Sequence, residues 1–219
     1  MTSNTRTNPN LKLSTESHYH GLPVLTHRGP LVTNYLDSIK AVYDTALSDY
    51  SRLFIVRFDL HFPLDYTGDF NTNVISRFFD SLRDKIAYEE RSKAAKGVRC
   101  HATKVRYIWV REQSNNQRPH YHVVLLLNGD RFNGLGRTDS SNTNLANRIT
   151  RSWAYALKVP EELGVKGVRF LPDCCYRVDS CFGYHHEILL SLFRRTSYFA
   201  KLTTKVYGTP ERSFGCSNG

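Results

Sequence analysis

The sequence predicts an α+β domain built on a central, mainly antiparallel sheet with flanking helices. Two observations carry this. Strand-like and helix-like segments follow one another as strand, helix, strand, strand, helix, strand, the order of a split βαβ unit. The two middle strands are separated only by QSNNQRP, a connection short enough for an antiparallel hairpin. A composition that is 40% hydrophobic and 12% aromatic supplies a globular core.

Residues 1–33 are polar, carry Gly21, Pro23, Gly29 and Pro30, and read as an N-terminal arm with turns; residues 34–219 read as the domain. From Asn34 to Tyr50 the apolar positions Leu36, Ile39, Tyr43, Leu47 and Tyr50 recur at helical spacing. RLFIVRFDLHFP (52–63) alternates through Phe54, Val56, Phe58 and Leu60 and is closed by Pro63, so it is a strand. The segment 69–97 opens on Asp and Asn capping candidates, continues with Val74, Ile75, Phe78, Phe79, Leu82 and Ile86, and stops near Gly97, as a helix does. KVRYIWVRE (104–112) and HYHVVLLLN (120–128) are the hairpin strands. A helix over 144–157 places Leu145, Ile149 and Trp153 on one face, a short strand follows at 167–171, and a last helix spans 187–205.

Thirty Lys and Arg against twenty Asp and Glu give a formal net charge of +10, which points to a polyanionic partner, nucleic acid first. The longest apolar run, VVLLL, is too short to cross a bilayer, and MTSNTRTNPN has no signal-peptide core. The five scattered cysteines form no disulfide framework, so the expected setting is reduced and cytoplasmic, without a membrane partner. Cys174, Cys175 and Cys181 lie close to His185 and His186, but their spacing matches no paired Cys-x-x-Cys knuckle. Buried thiols and loop histidines are expected there rather than zinc.

His-Tyr-His occurs twice, at 18–20 and 120–122. On a strand the side chains alternate, so His120 and His122 share a face and Tyr121 enters the other. The first copy lies in a loop between Ser17 and Gly21, with nothing to align its rings. A metal would need a third ligand, and the hairpin offers Glu112: it joins the histidine face if paired opposite His120 or His122, and is lost from it if the register slips by one. Two imidazoles and a carboxylate suit a hard divalent ion, Mg²⁺ or Mn²⁺, acting on phosphate, and would also accept zinc. Asp59 and His61 on the first strand are reserve ligands or outer partners; the alternative for Asp59 is an ordinary salt bridge.

In the last helix, Ile188, Leu192, Phe199 and Leu202 form an apolar stripe widened by Leu189 and Phe193. Tyr198 falls to its side, with Arg194, Lys201 and Lys205 on the same flank. A hydroxyl among cations is a candidate nucleophile for a phosphodiester, the cations favouring phenolate and holding phosphate. The plainer alternative is a tyrosine at a helix edge.

HYH on an apolar strand, Glu112 ahead of it, and Tyr198-Phe-Ala-Lys201 near the end together resemble the HUH endonuclease superfamily of rolling-circle initiators, whose core is RRM/ferredoxin-like. The closer resemblance is to the YagK/YfjJ prophage proteins, or inovirus gene-two-type replication proteins. It is carried by RFDLHFP (57–63), WVREQ (109–113), HYHVVLLLNGD (120–130), SWAYAL (152–157), RRTSYFAKLTTK (194–205) and RSFGCS (212–217). The resemblance implies His120 and His122 as metal ligands, Glu112 as third ligand, Tyr198 as the nucleophile and Lys201 as its assisting lysine. It implies nicking of single-stranded or extruded origin DNA through a 5′-phosphotyrosyl link that frees a 3′-OH. Arg194, Arg195 and Lys205 are the expected DNA contacts. No nucleotide cofactor is expected, since GDRFNGLGRTDSS lacks the Gly-Lys-Ser/Thr ending of a P-loop, so unwinding and extension would fall to a host helicase and polymerase. The same residues would serve a relaxase or a single-tyrosine transposase, and a non-cleaving DNA-binding regulator could share the fold.

Overall fold

A computed structural model of the chain describes residues 11–71, 73–113, 118–136, 144–203, 205 and 210–217. The N-terminal part holds four two-residue strands, β1 (Leu13–Ser14), β2 (His18–Tyr19), β3 (Leu22–Pro23) and β4 (Leu31–Val32). Strand β1 pairs with β4, and β2 with β3, both antiparallel. Then follow α1 (Thr33–Asp49), β5 (Arg52–His61), α2 (Asn73–Ala95), β6 (Arg106–Glu112), β7 (His120–Asn128), α3 (Leu145–Leu157), α4 (Glu161–Val165), β8 (Val168–Asp179), α5 (Glu187–Ser197) and β9 (Phe214–Cys216).

The main sheet has the order β8-β5-β7-β6-β9, with every neighbouring pair antiparallel. It is covered on both faces, which explains why β5 and β7 read as nearly continuous apolar runs. On one side Phe54, Val56, Phe58 and Leu60 of β5 pack with Ile75, Phe78 and Phe79 of α2 and Ile149 and Trp153 of α3. On the other, Leu53 and Ile55 meet Leu36, Ile39 and Tyr43 of α1 and Leu189, Leu192 and Phe193 of α5. The period-2 alternation of side chains therefore assigns each strand residue to one of two cores.

Helix α3 is capped at both ends. The Asn144 side chain accepts from Asn147 N at 2.9 Å at the start of α3, and Lys158 ends it in the left-handed region at φ 58°.

Three expectations are corrected by the pairing. The short strand at 167–171 is a twelve-residue strand, Val168–Asp179, running through Pro172. Proline is tolerated because β8 is an edge strand, and the register against β5 shifts between Val56 and Phe58. The last helix stops at Ser197. Tyr198–Ala200 make one 3₁₀ turn and Lys201 is extended, because Leu202 N donates to Pro30 O at 3.0 Å and Lys201 bridges to Leu31. Helix continuation would forfeit those pairings. Ile188, expected in the buried stripe, is 40% exposed, and Leu189 takes its place.

The segment read as a polar arm contributes Leu22, Val24 and Leu31 to the second core, and Val32 is buried as well. It also grips the end of α5, through Leu25 N to Ser197 Oγ (2.9 Å) and Thr203 Oγ1 to Arg28 O (3.1 Å). The first His-Tyr-His is a small hairpin rather than an irregular loop. His18 sits in β2 and His20 at its turn with φ 47°, so the two rings do not share a strand face. No helix among the described residues is long and apolar enough to cross a membrane.

The carboxyl end of β5 is clamped from the α3 side. Trp153, fully buried, donates its indole N–H to His61 O at 2.9 Å, and His61 N donates to Gly167 O at 2.7 Å. A Cβ at Gly167 would lie 2.4 Å from His61 O, so the approach requires glycine. Trp153→Ala is expected to cost about 3–5 kcal/mol in urea unfolding, from the cavity and the orphaned carbonyl together.

Candidate functional site

At one end of the sheet, three adjacent strands bring together the polar residues that interrupt their apolar runs. The register pairs His61 and Glu112 with His120 from either side, and pairs Asp59 and Val110 with His122. Glu112 thus lies on the histidine face, and the slipped register that would remove it does not occur. Among the described residues, Glu112, His120 and His122 form a group whose ligating atoms all lie within 4.8 Å of one another.

Two of the three distances are closer still. His120 Nε2 is 3.3 Å from His122 Nε2, and His122 Nε2 is 3.6 Å from Glu112 Oε2. Donors about 2.1 Å from one ion stand roughly 3–3.5 Å apart, so this set suits a cation without rearrangement of the backbone. Glu112 Oε1 is buried and accepts no hydrogen bond among the described residues, although Lys201 Nζ is 3.0 Å away off the bonding direction. That oxygen retains lone pairs for a cation.

Asp59 is better placed as an orienting partner than as a ligand. Its Oδ1 lies 2.6 Å from His122 Nδ1, so a proton held there leaves Nε2 free to face His120 and Glu112. The His61 ring stacks on His120 at 5.1 Å between centroids and 6° between planes, and backs the site.

Burial and neighbouring charges set the protonation. Burial opposes the Glu112 carboxylate, but hydrogen bonds from His122 and Lys201 outweigh it and hold the group down at about 2. Burial, the charge of His120 and that of Arg169 push His61 down to about 4. Burial and the charge of His122 lower His120 as well. For His122 burial is outweighed by Asp59 and Glu112, and its affinity for a proton rises.

The Tyr198 turn lies beside this cluster. Lys201, 2% exposed, donates to Glu112 Oε2 at 3.3 Å and also to the Tyr198 hydroxyl. Its Nζ stands 3.5 Å from the Tyr198 ring centroid. A continuous path thus runs from the phenol oxygen through the ammonium to the carboxylate. Phe199 points the other way, into the second core, with its ring 6.1 Å from that of His122.

Other sequence candidates separate from the site. Arg194 and Arg195 are exposed on the last turn of α5, with Arg195 Nη1 donating to Tyr176 Oη at 2.6 Å. Lys205 is not a surface contact: it is buried, its ammonium donates to Lys201 O, and burial with the charge of Lys201 pushes it down to about 7. Cys174 and Cys175 belong to β8, with sulfurs 3.8 Å apart, the first buried and the second exposed. Cys181 is exposed and His186 caps α5 through Ile188 N, so these residues do not converge as a metal group. Ser197, whose hydroxyl fastens the Tyr198 turn to Leu25, had no signal in the sequence, because its partner lies at the far end of the chain.

A five-stranded antiparallel sheet carrying a histidine–carboxylate cluster beside a tyrosine–lysine turn defines the class of protein. The chain belongs to the YagK/YfjJ C-terminal domain family, which it matches over residues 14–217. It is 32% identical over 202 residues to the "uncharacterized protein YfjJ" of Escherichia coli (strain K12), covering 87% of this chain and 97% of that one. It is also 32% identical over 200 residues to the "uncharacterized protein YagK" of the same strain, covering 88% and 95%. No solved structure matches.

Two outcomes follow from the geometry. Calorimetric titration with Mn²⁺ should show binding that is abolished in His120→Ala and His122→Ala and weakened roughly 10–100-fold in Asp59→Asn; unchanged affinity in Asp59→Asn would remove its orienting role. The second concerns pH in metal-free buffer. The unfolded chain protonates His61 near 6.5 and the folded chain near 4, so folding loses stability as pH falls through that window. His120 acts in the same sense and His122 in the opposite one. The Glu112 contribution is present above 4.5 and lost as pH falls toward 2. Thermal unfolding of His61→Gln should therefore show a shallower decline between pH 6.5 and 4, with the decline below 4.5 retained.

Proposed function

We propose that the protein is a metal-dependent single-strand DNA endonuclease and strand transferase of the HUH type, with Tyr198 as nucleophile, initiating rolling-circle replication of a phage, prophage or plasmid. The observation that carries the reading is the chain of contacts from Tyr198 through Lys201 to Glu112, beside His120 and His122. A hydroxyl nucleophile and a hard-cation donor set have one common substrate class, the phosphodiester.

The sheet order supports the same reading. Numbering β5, β6, β7 and β8 as one to four gives the order 4-1-3-2, all antiparallel, with α2 and α3 in the two crossovers. That is the split βαβ arrangement of RRM/ferredoxin-like cores, to which β9, α1 and α5 are added. The net charge of +10 suits a nucleic-acid partner.

Glu112, His120 and His122 would hold Mg²⁺ or Mn²⁺, which when bound supplies Lewis-acid charge at the phosphate. The chain's own residues perform the rest. Asp59 keeps the His122 ring in place. Lys201 holds the Tyr198 oxygen at the site and puts a positive charge where phenolate charge develops. Tyr198 attacks phosphorus as the 3′ oxygen leaves, giving a 5′-phosphotyrosyl bond and a free 3′-OH. Since one phosphodiester replaces another, the reverse attack by a 3′-OH rejoins the strand without a nucleotide cofactor. Helicase and polymerase functions are then supplied by the host.

Single-stranded DNA from the genome that encodes the protein, end-labelled and incubated with Mn²⁺, is expected to give a covalent protein–DNA band on a denaturing gel. The band should disappear with chelator and in Tyr198→Phe. An adduct of equal intensity in Tyr198→Phe would refute the nucleophile, and no adduct with any DNA would favour a binding regulator.

A further inference from the structure

The site is walled on one side and open on the other. Toward β6 and β9, the face that carries Glu112 is covered by α1, with Tyr35 stacked on Phe214 at 4.3 Å. Toward β8 most of the strand is exposed, including Arg169 and Leu171. A long substrate reaching the triad has its room over β5 and β8.

Two arginines stand in that opening. Arg57 is two residues before Asp59 on β5, on the same sheet face and about 7 Å along it. Its guanidinium carbon lies 5.9 Å from the Phe199 ring, the same ring that stands 6.1 Å from His122. Arg57 Nε is buried and without a hydrogen-bond partner, and no carboxylate pairs with the guanidinium among the described residues. Arg169 lies directly across from Asp59 on β8, so its side chain leaves the same face. It too has no ion-pair or hydrogen-bond partner among the described residues. Most other inward arginines of this protein are paired: Arg106 with Asp49, Arg131 with Glu89 and Glu90, Arg148 with Glu89. Farther along the same face, Tyr176 holds Arg195.

An unpaired, partly buried guanidinium over an aromatic ring costs solvation, and an arriving phosphate would repay that with charge-assisted hydrogen bonds. We propose that Arg57 and Arg169 are a phosphate-binding pair for single-stranded DNA, holding the backbone next to the cleaved phosphate and leading the strand out over β8 past Tyr176 and Arg195. This rests on the proposed DNA-cleaving function and extends it to two residues outside the metal and tyrosine cluster. Asp59 gives its Oδ1 to His122, and although the charge of Arg57 helps keep its carboxylate low, neither arginine makes an ion pair with it among the described residues.

The test is fluorescence anisotropy of a labelled oligo-dT strand with the full-length protein, titrated across NaCl concentrations. Arg57→Gln and Arg169→Gln are each expected to weaken binding and to reduce the slope of log K against log salt by about 0.7, and the double variant by about 1.4. Arg91→Gln, exposed on α2 on the opposite side of the sheet, is expected to leave the slope unchanged. Thermal unfolding checks that the variants remain folded. A wild-type slope in the double variant would overturn the phosphate pair while leaving the cleaving reading intact, as would a slope lowered by Arg91→Gln alone. If the native protein binds no single-stranded DNA at any salt, both readings fall together.

Discussion

The site depends on the register in which β7 is held between β5 and β6. Nine consecutive residues of β7 face β5, and seven face β6, without a bulge on either side. Apolar residues of β7 on both cores make a one-residue slip prohibitive, since it would turn Val124 and Leu126 out of the α1–α5 core and Tyr121, Val123 and Leu125 into it. Burial of that apolar surface thereby fixes four polar side chains at the strand ends. The cluster is positioned by residues that have no chemistry of their own.

Putting Asp59, Glu112, His120 and His122 together is electrostatically demanding. Two carboxylates and three imidazoles, with His61, share a partly buried space, and their proton affinities move apart: Glu112 and His61 down, His122 up. Lys201 balances part of the negative charge from within the structure, and it does so only because the chain leaves helical geometry after Ser197. The N-terminal segment enforces that departure through Leu31, Pro30, Leu25 and Arg28. Residues 25–31 and 197–203 are thus parts of one device that sets the direction of Tyr198.

The distribution of cations carries the same division between structure and function. Arg106 and Arg148 are buried, and Arg131 half-buried, against carboxylates and serve the fold. Lys205 is buried as well, and donates to a backbone carbonyl. Arg169, Arg194 and Arg195 are exposed and Arg57 is half-buried, and the proposed DNA contacts draw on these four. Net charge alone could not have separated these groups, because pairing depends on what each side chain meets.

Much was legible in the residues themselves. The hairpin, the shared face of His120 and His122 and the cores of α2 and α3 all follow from periodicities of 2 and 3.6, which local backbone geometry imposes. The tertiary structure decided what periodicity does not encode. It set the register that put Glu112 opposite His120, and it gave Asp59 to the Nδ1 of His122. The edge pairing with β5 carried β8 through Pro172, and a pairing with Pro30 and Leu31 ended the last helix at Ser197. Each of these rests on a contact between residues distant in the chain. Local propensity contributes tenths of a kcal/mol per residue, whereas a satisfied buried hydrogen bond or a buried apolar side chain contributes about 1–3, so the distant contact prevails.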